Sequence, residues 1–198
     1  MTIRIRQGAN LPHWTKDNAV YAVTLRLADS MPQMQLDEWK REREFLYKEA
    51  ELNKLTASEF DRLMYLHSEK LERYLDAGYG KCWLKDDRIA KLVADALHHF
   101  DGERYILHAY CIMPNHVHLV IEPRAGYDLL KLMRALKRYT AHEANKLLDR
   151  TGEFWLAESY DHLIRDVADY EHALEYLWNN PDKAGLQDWE WRWRRDTS

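Results

Sequence analysis

The chain has 198 residues, is 46% hydrophobic and 31% charged, and carries a net charge of −4 with a pI near 6.2. That length and apolar content suit one domain with its own core, and the acidic balance argues against a generic nucleic-acid binder while leaving room for a local basic patch. Two cysteines without CxxC spacing, Cys82 and Cys111, exclude a disulfide framework or zinc ribbon; the absence of a membrane-length apolar run or signal-peptide core points to a soluble, reduced, cytoplasmic setting.

Residues 1–18 read as irregular. Residues 19–28 alternate as a strand does. Val20, Ala22, Thr24 and Arg26 fall on one face, and Tyr21, Val23, Leu25 and Leu27 on the other. After a loop at 31–35 the chain turns charged and helical to about residue 75. Leu36, Trp39, Phe45, Leu46 and Leu52 mark one helix, and the Thr56–Glu59 capping box opens a second. This pair is an insertion between the first strand and the rest. Asp86 and Asp87 precede a helix over 89–100, closed by Asp101 and Gly102.

Residues 105–122, YILHAYCIMPNHVHLVIE, read as two strands joined by a turn at Met113, Pro114 and Asn115. His116 and His118 share one strand face, roughly 7 Å apart, while Val117, Leu119 and Ile121 take the other. Two imidazoles so placed can grip one metal ion, and they also read as ordinary partly buried residues. A long helix follows over about 127–148. Lys131, Arg134, Lys137 and Arg138 ride outside its apolar stripe, as a phosphate-contacting ridge or a solvated face. Phe154 and Trp155 sit in the next loop. Residues 159–164 form the last strand, and Asp166 caps a final helix that ends at Asn180, before Pro181.

On that helix Tyr170, Ala173, Leu174 and Leu177 form the core stripe. Tyr176 lies off it, with Asn180 one turn further along the same face. The amide oxygen of Asn180 can complete a metal site begun by two imidazoles, and Tyr176 can then meet a polarised phosphate. Tyr139, beside Lys137 and Arg138, is a second candidate nucleophile without a paired amide. His108, His142 and His162 read as structural, and Asn115 and Glu122 can orient ligands. The tail, residues 187–198, interleaves tryptophan with arginine. It can stack bases through residues such as Arg192 and Arg194, or clamp back on the body.

Leaving the insertion aside, the order strand–helix–strand–strand–helix–strand–helix predicts an α+β fold. It is a ferredoxin-like βαββαβ core with an antiparallel sheet and an extra C-terminal helix, in a single domain. The segments MPNHVHLV, FW…YDHLIRD and EYLWNNPDKAGL together resemble the single-tyrosine HUH transposases, closest to the REP-associated branch. The likeness covers the first strand and residues 83–186; the insertion at about 36–75 and the acidic pI depart from it.

The resemblance implies cleavage and rejoining of single-stranded or hairpin DNA through a 5′-phosphotyrosine on Tyr176. His116, His118 and Asn180 then hold Mg²⁺ or Mn²⁺. Arg134, Lys137, Arg138, Trp155, Arg192 and Arg194 are the candidate DNA contacts, and a homodimer is compatible with the family. Two further readings stay open: a catalytically silent DNA-binding module of the same fold, and an unrelated metal phosphodiesterase that uses only the histidines.

Overall fold

The computed structural model describes residues 4–7, 12–15, 19–52, 56, 74–157 and 159–196. Its centre is a five-stranded antiparallel sheet of β3 (Tyr21–Arg26), β4 (Tyr105–Ile112), β5 (His116–Pro123), β6 (Tyr160–Leu163) and β7 (Arg192–Arg194), in the order β6-β3-β5-β4-β7. The first four strands in that order, with the helices between them, are the ferredoxin-like βαββαβ arrangement.

Alternation along β3 and β5 decides what lies on each side of the sheet. Tyr21, Val23, Leu25, Val117, Leu119 and Ile121 face one way into the main core. There they meet α2 (Asp87–His98) through Ile89, Val93 and Leu97, and α3 (Leu129–Leu147) through Leu129, Met133 and Ala144. The other face is covered by α4 (Val167–Lys183), where Leu177 packs with Ala109, Cys111, Met113 and Val120. His116 and His118 belong to this second face.

A bulge in β4 makes both packings possible. Leu107 opposes Ile121 and Ala109 opposes Val120, so His108 is an extra residue. The parity flips there: Tyr105 and Leu107 face the main core before it, Tyr110 and Ile112 after it. An unbroken alternation would have turned one pair out.

The structure departs from the sequence-based expectation in four places. Residues 4–7 and 12–15, expected to be irregular, pair as a two-stranded sheet of β1 (Arg4–Gln7) and β2 (Pro12–Thr15). Strands of four residues hold too few alternations to stand out. The first inserted helix, α1 (Gln33–Leu52), starts inside the expected loop. Most of the second, expected from Thr56, lies outside the described residues. Third, α4 does not stop at Asn180 but continues through Pro181 to Lys183. The bias of a pre-proline residue against helix is a preference, and here the next turn holds: Ala184 N donates to Asn180 O and Leu186 N to Pro181 O.

Last, the Trp/Arg tail, for which stacking on bases and clamping on the body were both open, takes the clamp and adds a strand beyond the expected last one. β7 pairs with β4, Trp189 Nε1 donates to Ile112 O (2.7 Å), and Trp191 and Trp193 pack on the core. The chain returns from the insertion through Gly80 at φ +90°. A Cβ there would lie 2.5 Å from the Asp29 carbonyl oxygen, so only glycine lets the two segments pass so closely.

Candidate active site

His116 and His118 point from β5 toward α4 and are 1% and 5% exposed, so no water shell fixes their rings. Protein groups do so instead. The Asn115 side chain donates through Nδ2 to the carbonyls of Leu75 and Tyr79, both at 3.1 Å. With its amino group spent, Asn115 Oδ1 is the acceptor, and it lies 2.8 Å from His116 Nδ1. His116 therefore carries its proton on Nδ1 and presents a bare Nε2. His118 Nδ1 meets Thr24 Oγ1 at 3.0 Å, because β3 and β5 pair in a register that sets Thr24 opposite His118.

The two Nε2 atoms face each other at 2.9 Å. Burial, then the neighbouring His118 and the Arg26 guanidinium, hold His116 well below the usual imidazole range. Burial pushes His118 down to about 4. Both rings are neutral at neutral pH, the state in which imidazole binds a metal.

From the helix side, Tyr176 brings its ring to 5.8 Å from that of His118, edge to face. One turn on, Asn180 is fully buried and donates from Nδ2 to Tyr176 Oη at 3.2 Å. Its Oδ1 is buried and has no hydrogen-bond partner. An amide oxygen in that state is costly unless something positive approaches it. Among the described residues no three His, Cys, Asp or Glu side chains converge on one point. The donor set that exists here is two neutral imidazole nitrogens and one orphaned amide oxygen, and it fits a divalent cation with positions left over. A cleft of about 90 Å³, lined among others by Thr24, His118, Tyr160, His162 and Tyr176, opens beside the phenol.

The expected DNA contacts sort differently. Lys137 is not on a ridge: it is 8% exposed, and its ammonium donates to Leu156 O (3.0 Å) and Ala157 O (2.6 Å). The lysine thus satisfies two carbonyls of the loop beside it. Trp155 is no stacking platform either. It is buried in the main core, with Nε1 donating to Thr140 Oγ1 at 2.9 Å. Arg134, Arg138 and Tyr139 are exposed on α3, across the sheet from Tyr176. Arg192 and Arg194 lie on the α4 side, their guanidiniums 4.7 and 5.1 Å from the Trp178 ring centroid. Arg192 also donates to Trp178 O and pairs with Asp182, whereas Arg194 is exposed.

His108 lies between Glu122 and Tyr170, and His162 pairs with Asp169, both as supporting contacts. Sequence reasoning missed Thr24, whose role depends on strand register. It also missed Arg26, opposite His116 in that register, and Lys183, whose spacing of seven from Tyr176 was a readable signal.

Comparison with known proteins gives the family and the fold. The family model described as transposase IS200 like matches residues 81–180, the stretch that contains His116, His118, Tyr176 and Asn180. A Haemophilus influenzae protein named as a REP-associated tyrosine transposase is 30% identical over 95 residues, covering 41% of this chain and 54% of its own length. The REP-associated tyrosine transposase of Escherichia coli K12 is 26% identical over 88 residues, covering 42% and 50%. The chain thus spans about half the length of the curated relatives it matches. A REP-associated tyrosine transposase solved bound to a REP hairpin superposes with a TM-score of 0.54 at 14% identity, over 94% of this chain and 91% of that one. At that identity the likeness bears on the fold. Among the described residues, no helix is long and apolar enough to cross a membrane.

Proposed function

The chain belongs to the IS200-like transposase family, and from that premise we propose that it cuts and rejoins single-stranded DNA at hairpin sequences, with Tyr176 as nucleophile. The phenol oxygen of Tyr176 attacks a phosphodiester. A bond from Oη to phosphorus forms, the bond from phosphorus to O3′ breaks, and O3′ leaves as a hydroxyl after taking up a proton. The product is a 5′-phosphotyrosine, and attack by another 3′-hydroxyl reverses the step without ATP.

His116, His118 and Asn180 would hold a divalent ion, Mg²⁺ or Mn²⁺. When bound, that ion supplies charge neutralisation at a nonbridging phosphate oxygen. Imidazole donors accommodate Mn²⁺ more readily than Mg²⁺. The residues of the chain do the rest. Asn115 and Thr24 fix the two imidazoles, and Asn180 holds the phenol oxygen through its Nδ2. The tail arginines on the α4 side, Arg194 above all, are the DNA contacts nearest this chemistry. Arg134 and Arg138 serve only DNA that reaches the opposite face.

The observation that carries this reading is the approach of the Tyr176 ring to His118 together with the hold of Asn180, whose buried Oδ1 is without a partner, on the phenol oxygen. Incubation with hairpin oligonucleotides and Mn²⁺ is expected to give a covalent protein–DNA adduct on a denaturing gel, abolished by Tyr176→Phe. Tight hairpin binding without an adduct would mark a silent binding module. Hydrolysis of small phosphodiesters retained by Tyr176→Phe would mark a histidine-only phosphodiesterase.

A further inference from the structure

The inserted segment departs from the family pattern, yet it reaches the reacting residues at three points. The Leu75 and Tyr79 carbonyls hold Asn115, which holds His116. The Trp39 ring of α1 lies 5.0 Å from the Arg26 guanidinium, and Arg26 stands opposite His116 in the sheet. Asp76 sits between Leu75 and Tyr79 in the chain. Its Oδ1 is buried without a hydrogen-bond partner. Burial raises its carboxyl, and the Lys183 ammonium draws it back down.

Lys183 completes a stripe on α4. Tyr176, Asn180 and Lys183 stand at i, i+4 and i+7 and share one helix face. An i, i+7 separation is about 10 Å along the axis. The lysine nonetheless reaches back, so that Nζ lies 4.6 Å from the Tyr176 ring centroid. Its flexible four-carbon stem spans that distance, and the face of the aromatic ring attracts the cation. Lys183 is exposed, so a phosphate arriving at the phenol meets its ammonium directly.

The geometry points to Lys183 as a further catalytic residue of strand cleavage, its ammonium engaging the scissile phosphate beside Tyr176. This rests on the functional reading above. As the bond from Oη to phosphorus forms and the bond to O3′ breaks, the five-coordinate phosphorus carries one more negative charge than the diester or the phosphotyrosine. A fixed cation there favours the transition state over both. The end of the insertion has a separate part in the site: it sets the Nδ1–H of His116 through Asn115.

The test is the single-turnover rate of adduct formation on a hairpin oligonucleotide with Mn²⁺, alongside the hairpin Kd and the Mn²⁺ affinity. Lys183→Met is expected to slow adduct formation about a hundredfold while the hairpin Kd moves by less than about threefold and Mn²⁺ affinity holds. Lys183→Arg is expected to recover most of the rate.

A Lys183→Met protein that cleaves at the wild-type rate, or loses only hairpin affinity, overturns the assignment. A wild-type protein that forms no adduct overturns the functional reading, and this inference with it.

Discussion

Asn115 uses its whole side chain to aim one ring. Both amino hydrogens go to carbonyls of the segment returning from the insertion, and the oxygen goes to His116 Nδ1. Asn115→Ala should weaken Mn²⁺ binding by about ten- to a hundredfold, the usual cost of removing a partner behind a metal-binding histidine. Titration calorimetry reads this directly; unchanged affinity would mean that His116 is aimed by packing alone. At this scale the sequence was partly transparent. His116 and His118 fall on one face because a strand alternates, and Tyr176 and Asn180 share a face because a helix repeats. The partner Thr24 was not legible, because it lies far from His118 along the chain and only strand register brings the two together. Lys137 and Trp155 were misread for a related reason: polarity and aromaticity describe a side chain, not the layer packed against it.

Among the elements, β7 shows how a short segment closes the sheet. Its three residues alternate between the two faces of the sheet. Trp193 stacks on Tyr110 (centroids 5.9 Å apart) and meets His98 edge-on at 4.7 Å, while the flanking arginines lie over Trp178 on the far side. Trp193→Ala should lower stability by about 2–3 kcal/mol, toward the low end for a large aromatic because the ring is only partly buried. Urea unfolding measures it, and a loss below about 0.5 kcal/mol would show that the tail is ornamental to the fold. The four core strands and α2–α4 were readable from periodicity and caps. Asp86, Asp128 and Asp166 each accept a first-turn N–H, as expected of such residues before a helix. The strands β1, β2 and β7 were not readable, since three or four residues carry no period, and the bulge at His108 leaves no mark of its own in the sequence.

For the molecule as a whole, the price of a buried imidazole pair is sensitivity to acid. The unfolded chain has His118 at about its ordinary 6.5, and the folded one at about 4. Between those values the unfolded state binds a proton that the folded state refuses, so stability falls as pH drops. It is complete above about 6.5 and has lost about 3 kcal/mol at pH 4 from His118 alone. His116, shifted further in the same direction, adds to the loss. Denaturation midpoints of the metal-free protein at pH 7 and pH 4 should show this drop, and His118→Gln should blunt it. Equal midpoints would mean that the rings are not held neutral.

Leu177 follows Tyr176 in the chain and, about 100° round the helix from it, packs against Val120 and Cys111. That one side chain sets how high α4 rides above the sheet, and so how far the phenol stands from the imidazoles. Leu177→Ala would open a void costing about 2–5 kcal/mol, and a drift of about 1 Å at reacting atoms can cost a hundredfold in rate. On warming such a variant, strand cleavage should fail well before the far-ultraviolet signal of the helices fades, because aim is lost at a smaller displacement than shape.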